Sequence, residues 1–172
     1  MVSVIMNCFN GEQFIGDAVE SILAQTYENW ELIFWDNQST DGSADVINSY
    51  EDERIKYFCS ENHTILYEAR GYAYAKTKGE LIAFLDVDDT WYPEKLEKQV
   101  GLFEDKEIGF VCSNYHKWDT EKNSRVLAFS DTLPGGYVLD ELLNQYFVGI
   151  LTLVLRRESF ESLELSPLYV FN

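Results

Sequence analysis

Phe84-Leu85-Asp86-Val87-Asp88-Asp89 is the stretch on which the reading of this chain turns. Its carboxylates follow directly on an apolar run, Leu81-Ile82-Ala83-Phe84-Leu85, which reads as a buried strand. Side chains alternate along a strand, so Asp86 and Asp88 point to the same side if the extended geometry continues. Like charges that close repel unless a cation lies between them. Mg2+ and Mn2+ prefer hard oxygen ligands and keep coordination positions open for phosphate oxygens. The acids at the end of this strand are therefore a candidate metal–diphosphate site. The bland alternative is a solvated turn that caps a helix.

Outward from that stretch, strand and helix patterns alternate. Val2 to Phe9 reads as a first buried strand. Phe14, Ile15, Ala18, Val19, Ile22 and Leu23 recur at helical spacing. Trp30 to Trp35 is the next strand, and Asp36-Asn37-Gln38-Ser39-Thr40-Asp41-Gly42-Ser43 is a dense turn signal. A helix follows from about Ser43 to Tyr50, a short strand over Ile55 to Phe58, and a helix over Tyr67 to Thr77. Downstream, Pro93 suits a helix first turn, with Leu96, Val100 and Phe103 on that helix's inner face. This order predicts an α/β fold with a mostly parallel central sheet and helices on both faces. Ligands of such sheets bind at the carboxyl ends of the strands. Three polar loops meet at that edge: Asn7 to Glu12, Asp36 to Ser43, and Asp86 to Asp89.

Beyond Phe110 the pattern changes. Phe110 to Ser113 is strand-like, Tyr115 to Trp118 is a continuation, and Arg125 to Phe129 is a return strand. Val138 to Tyr146 reads as a helix and Ile150 to Leu155 as a last strand. This half is expected to complete the sheet and to wall a second substrate.

Composition narrows the partners. Of 172 residues, 46% are hydrophobic and 15% aromatic, enough for one packed domain rather than disorder. Lys and Arg number 13 against 30 Asp and Glu, a formal charge of −17. That field repels nucleic acid and anionic membrane, so no nucleic-acid partner is expected. An anionic ligand would need a bound cation and one or two placed Arg or Lys residues. Cys8, Cys59 and Cys112 are scattered and form no paired motif, which fits reduced thiols and a cytoplasmic setting. The longest apolar run, Phe147 to Leu155, is too short to span a bilayer.

Taken together, the three loops resemble those of the family 2 glycosyltransferases with the GT-A, Rossmann-like fold. The resemblance covers nearly the whole chain and is strongest over residues 2 to 98. Lys78-Gly79-Glu80 with the strand and Asp86-Val87-Asp88-Asp89 is similar to the family's Gly-Glu-strand-Asp-x-Asp-Asp segment. Asn7-Cys8-Phe9-Asn10 stands where the family has Pro-Thr-Tyr-Asn, and Glu68-Ala69-Arg70-Gly71 resembles its Ala-Arg-Asn helix. The resemblance implies nucleotide-sugar contacts from Cys8, Phe9, Glu12, Asp36, Arg70, Asp86, Val87 and Asp88. It implies that Asp36 accepts a hydrogen bond from the nucleobase and that Asp86 and Asp88 hold Mn2+ or Mg2+. The implied reaction is inverting transfer of a sugar from a nucleotide diphosphate, by default a UDP-sugar, to a glycan or lipid-linked acceptor in polysaccharide biosynthesis. The implied place is the cytoplasm, with peripheral association at the inner face of the membrane.

A general base must remove the acceptor's proton. In the family it lies in an acidic segment downstream of the last strand, and none follows Arg156-Arg157 here. The expectation is a single domain over 1–172, truncated at its C-terminus, with a nucleotide-sugar-binding half at 1–105 and the start of an acceptor-side half at 106–172. The base is expected beyond Asn172, so this polypeptide should bind nucleotide and transfer sugar poorly.

Other readings stay open at this level. Asp36 can instead cap the helix after its loop, the less favoured reading, Glu12 can be a solvated first-turn residue, and Arg70 can be a structural ion pair. Arg156-Arg157 reads as a solvated pair or as a contact to an anionic acceptor. Asp86-Val87-Asp88-Asp89-Thr90 also fits the Asp-x-Asp-x-Thr signature of haloacid-dehalogenase-like phosphatases, although that motif normally ends a first strand. A nucleotide-binding fragment without activity is the non-enzymatic alternative.

Overall fold

The computed structural model of the chain describes residues 1–119 and 121–161. β1 (Val2–Cys8), β2 (Trp30–Asp36), β3 (Ile55–Cys59) and β4 (Leu81–Phe84) run parallel. The six-stranded sheet has the order β3-β2-β1-β4-β8-β5, closed by β8 (Val154–Arg156) and β5 (Phe110–Val111). β8 is antiparallel to both of its neighbours. All seven residues of β1 and of β2 are buried. Strands covered on both faces read as continuous apolar runs for this reason.

Strand alternation divides the core into two layers. Val2, Val4, Met6 and Cys8 face one side, where α1 (Glu12–Leu23) buries Ile15, Ala18, Val19 and Ile22. Ile47 of α2 (Ser43–Asn48) and Leu96 of α4 (Lys95–Val100) join that layer. Ile5, Ile33, Trp35 and Ile82 face the other side, against Ala69 and Ala73 of α3 (Leu66–Tyr74). Small residues on α3 let its backbone lie close to the sheet. The α/β reading with helices on both faces is thus what the chain forms, and Trp30, Phe34 and Trp35 are core.

The second half departs from its expectations in detail. His116–Asp119 (β6) does not continue β5; it pairs with β7 (Ser124–Leu127) in a separate two-stranded hairpin. Trp118 is exposed there, under the Arg125 guanidinium at 4.6 Å, rather than packed in the core. Ile150–Thr152 is a 3-10 turn, and the last strand begins only at Val154. The helix expected over 138–146 is confined to α5 (Leu139–Asn144), and α6 (Arg157–Glu161) follows β8 directly. The expectation attached to the chain end, Pro167 to Asn172, lies outside the described residues.

Arg156 and Arg157 are not a solvated pair. Arg156 donates to the carbonyls of Phe103, Asp105 and Ile108, and Arg157 donates to Gly79 O and Thr77 Oγ1. Both fasten β8 to the elements beside it.

Candidate active site

The loops after β1 and β2 form one hydrogen-bonded block. Asn10 and Gln38 each take a left-handed backbone conformation, with φ of 54° and 67°. Asparagine tolerates it because its short polar side chain bonds locally. Asn10 N–H donates to Ser39 Oγ at 3.0 Å, and Thr40 N–H donates to Asn10 Oδ1 at 2.8 Å. Gly11 N–H donates to Ser43 Oγ at 3.0 Å. Glu12 and Asp41 then satisfy each other's loops: Glu12 N–H donates to Asp41 Oδ2, and Gly42 N–H donates to Glu12 Oε2. Asp41, not Asp36, also caps α2 through Ser43 N–H. The Glu12 carboxylate is thereby committed to the protein.

The acid loop rests on this block. A Cβ built at Gly11 would lie 3.0 Å from both Cys8 Sγ and Val87 Cγ2, so a larger residue would push one of these side chains aside where the first and third loops meet. Val87 is thus a packing residue at the floor, while Asp88 is exposed. Strand geometry ends at Phe84, and Asp89 N–H donates to Asp86 O at 3.0 Å, closing a turn. A turn, not the strand pleat, therefore gathers the acids. Arg70 Nη2 reaches Asp86 at 2.9 and 3.3 Å. Burial first, then the charges of Asp88 and Asp86, push the Asp89 carboxyl up to about 6 from an ordinary 3.8. Burial is the larger cause of that rise; the smaller part, from Asp88 and Asp86, is repulsion that a cation would relieve. Among the described residues no group of three or more His, Cys, Asp or Glu could hold a metal alone. Hard carboxylates at Asp86 and Asp88 fit Mn2+ or Mg2+ if a ligand's own oxygens complete the sphere.

Beside the acids, between the end of β1 and the start of α3, lies a cavity of about 360 Å³. Asn7, Cys8, Phe9, Asn37, Ala69 and the segment His63 to Leu66 line it. The Phe9 and His63 rings meet at 4.3 Å and form one wall. Asn37 holds that wall in place: its Nδ2 donates to Thr64 O at 2.7 Å, and its Oδ1 accepts from Thr64 N–H at 3.1 Å. Asp36 is 2% exposed and is not among the lining residues. Its Oδ1 accepts Ser39 N–H at 2.7 Å and its Oδ2 accepts the Tyr57 hydroxyl at 2.9 Å. Burial and the Asp36 carboxylate push that hydroxyl up, so it remains a donor across the physiological range.

Of the residues nominated from sequence, Cys8 and Phe9 line the cavity, and Arg70, Asp86, Val87 and Asp88 gather at the acid turn. Glu12 and Asp36 sit underneath as loop fasteners. Asn7, Asn37, His63 and Thr64 were not nominated. Asn7 carried a legible signal, an amide inside the apolar run Val2 to Cys8. The wall at 63–64 depends on a contact across 26 residues that no local pattern encodes.

The family-model description "Glycosyl transferase family 2" matches residues 3–163. The chain belongs to that family. It is 36% identical over 157 residues to the Escherichia coli protein named UDP-Glc:alpha-D-GlcNAc-diphosphoundecaprenol beta-1,3-glucosyltransferase WfgD, covering 91% of this chain and 60% of WfgD. A glycosyltransferase of Bacillus subtilis strain 168 named for teichuronic acid biosynthesis is 34% identical, over 92% of this chain and 63% of its own length. The chain therefore spans about three-fifths of the length of these relatives. The fold matches Staphylococcus aureus TarS 1-349 with a TM-score of 0.75 at 21% identity, over 90% of this chain and 46% of TarS. TarS has been solved with UDP and with UDP-GlcNAc. The mannosyltransferase PcManGT of Pyrobaculum calidifontis, solved with GDP-Man and Mn2+, matches with a TM-score of 0.71 at 18% identity, over 95% of this chain and 46% of PcManGT. The fold is thus GT-A. The acids follow β4 rather than a first strand, and the phosphatase alternative is not favoured.

Proposed function

We propose that this chain is the donor-binding part of an inverting glycosyltransferase. It takes a sugar from a nucleotide diphosphate, a UDP-sugar first among them, for transfer to a glycan or lipid-linked acceptor. The observation that carries the reading is adjacency. A small cavity with an aromatic wall opens next to an acid turn, and Ala69 and Arg70 of α3 link the two. A base fits the cavity, and the diphosphate then reaches the acids.

The family and the chemistry of the acids imply a divalent ion held by Asp86 and Asp88. When bound, it neutralises the charge that develops on the diphosphate leaving group. Arg70 holds Asp86 in position and presents further guanidinium N–H groups to a phosphate. Phe9 and His63 supply ring faces for the base. The fastened loops keep these groups in place before the ligand arrives, which lowers the ordering cost of binding. Residues 1–105 form the donor half in this reading, and the segment from 106 begins the acceptor side. The names of WfgD and of the Bacillus relative support a lipid-linked or polysaccharide acceptor; that it is met at the cytoplasmic face of a membrane is part of our proposal. No helix among the described residues is long and apolar enough to cross a membrane; a lipid-linked acceptor would bring this chain into peripheral contact with a membrane surface.

The test is a thermal-shift panel of UDP, GDP, dTDP and CDP, each with and without Mn2+. Bound ligand raises the melting temperature by mass action. We expect at least one nucleotide to stabilise the chain, more strongly with Mn2+. No stabilisation by any of the four would contradict the reading.

A further inference from the structure

A second cavity, of about 420 Å³, lies in the other half of the chain, between the segment Ala128 to Pro134 and α5. It shares no lining residue with the cavity beside the acid turn. Its volume falls within the range of small-molecule sites, roughly 300–1,000 Å³. Its base is apolar. Phe129, Leu133 and Phe147 line it and belong to a small separate core with Val138, Leu142 and Val148. Asn114 clamps that base: its Nδ2 donates to Phe129 O at 2.7 Å, and its Oδ1 accepts Phe129 N–H at 3.2 Å. Phe147 leads into the 3-10 turn Ile150–Thr152, where Leu151 O accepts Trp91 Nε1 at 2.8 Å. Trp91 stands two residues beyond Asp89, so the cavity is fastened to the segment that follows the acid turn.

The rim is polar. Glu141, Asn144 and Gln145 stand at i, i+3 and i+4, along one face of α5 and its end, with Asp131 on the facing segment. Asp131, Glu141 and Gln145 make no side-chain hydrogen bond or ion pair among the described residues. Asn144 donates to Asp140 O at 2.9 Å and keeps its amide oxygen for another partner. At the cavity beside the acid turn, by contrast, the Asn37 amide is spent on Thr64.

This set of groups selects its occupant. No Lys or Arg lines the cavity, and two carboxylates in a chain of charge −17 repel a phosphate. A purely apolar ligand would leave the rim unpaired. Carboxylates accept from hydroxyls, and amides both donate to and accept from them. An apolar base beneath such a rim suits the C–H face of a pyranose. We infer that this cavity holds an uncharged sugar residue of the acceptor glycan, apart from the donor. The inference takes from the proposed function only that the acceptor is a glycan, and adds where one of its residues sits and which side chains hold it.

Nuclear magnetic resonance titration of the isotope-labelled chain with glucose, galactose, mannose and N-acetylglucosamine tests this, with inorganic pyrophosphate as the anionic control. At least one sugar should shift the backbone amide signals of Phe129, Asp131 and Gln145, with an affinity of roughly millimolar, the scale for so small a ligand. Pyrophosphate should leave those signals in place. Glu141→Ala and Gln145→Ala should each weaken that sugar about threefold or more, the worth of one hydrogen bond. Both replace exposed side chains without partners, so both should melt with the wild type, and shifts caused by UDP with Mn2+ should not change. No shift with any of the four sugars, sugar shifts centred on the acid turn, or pyrophosphate moving the same signals would each overturn the inference. Undiminished sugar binding in both variants would overturn it as well. None of these results touches the donor-binding reading, which stands or falls with the nucleotide panel.

Discussion

Glu31 at the amino end of the central sheet and the acid turn at its carboxyl end are treated in opposite ways. At the amino end, Glu31 is 3% exposed and fully served. Ser3 Oγ and Lys78 N–H each reach its Oε1 at 2.6 Å, and the Lys56 ammonium pairs with its Oε2. Burial alone would raise this carboxyl, but the hydrogen bonds from Lys56, Ser3 and Lys78 outweigh it and hold the group below its ordinary 4.5. At the carboxyl end, Asp86, Asp88 and Asp89 crowd one turn with Arg70 paired to Asp86, and Asp89 rises to about 6. One end closes its electrostatics within the protein. The other leaves charge at Asp88 exposed. In the proposed reading, stability resides at the first end and ligand binding at the second, as expected where a rigid scaffold carries a binding edge.

The comparison breaks most visibly at Glu31. Glu31→Ala should cost about 3 kcal/mol, because it strands Lys56 and two buried donors together. A urea midpoint will measure that loss, and the same variant should retain its nucleotide affinity where it still folds. Gly79→Ala should cost roughly 1–3 kcal/mol by overpacking. An added Cβ would sit 2.6 Å from Ser3 N and 2.8 Å from Met1 O, backbone atoms that cannot step aside. Loss of less than a few tenths would mean the amino end is looser than described.

Smaller and opposite in sign is the effect at the carboxyl end. Asp89→Asn should stabilise the ligand-free chain by about 1 kcal/mol at pH 7, after discounting for partial exposure. The pH dependence separates the two ends. Glu31's folded value is depressed, so its contribution is present above 4.5 and fades as pH falls through the lower folded value. Asp89's folded value is raised, so the chain loses stability as pH climbs from 3.8 to about 6. The gap between Asp89→Asn and wild type should therefore open over that interval and stay constant above it. A gap that narrows instead would reverse the assignment.

Residues 1–105 were legible because their elements carry their own patterns. β1 and β2 are mostly apolar and β4 wholly so, α1 has a helical stripe, and the acids point to a ligand edge. The second half was less so. β8 has three residues, and what makes it a strand is its place between β4 and β5, with Arg156 and Arg157 bonded to distant carbonyls. Local propensity cannot encode such pairings. At the site, the acids could be found from residue type alone. The supporting roles of Glu12 and Asp36 could not, since a carboxylate committed to a neighbouring loop and one facing a ligand look alike in sequence. The cavity wall at His63 and Thr64 likewise appears only once Asn37 has folded onto it.

Mn2+ binding with UDP, followed by paramagnetic broadening of backbone amide signals, tests the central claim most directly. Mn2+ with UDP should broaden Gly11, Arg70, Val87 and Asp89 while leaving Glu31 and Lys78 sharp, and Asp88→Asn should restore the broadened signals. Broadening centred elsewhere, or unchanged in Asp88→Asn, would contradict a divalent ion and a diphosphate meeting at the acid turn.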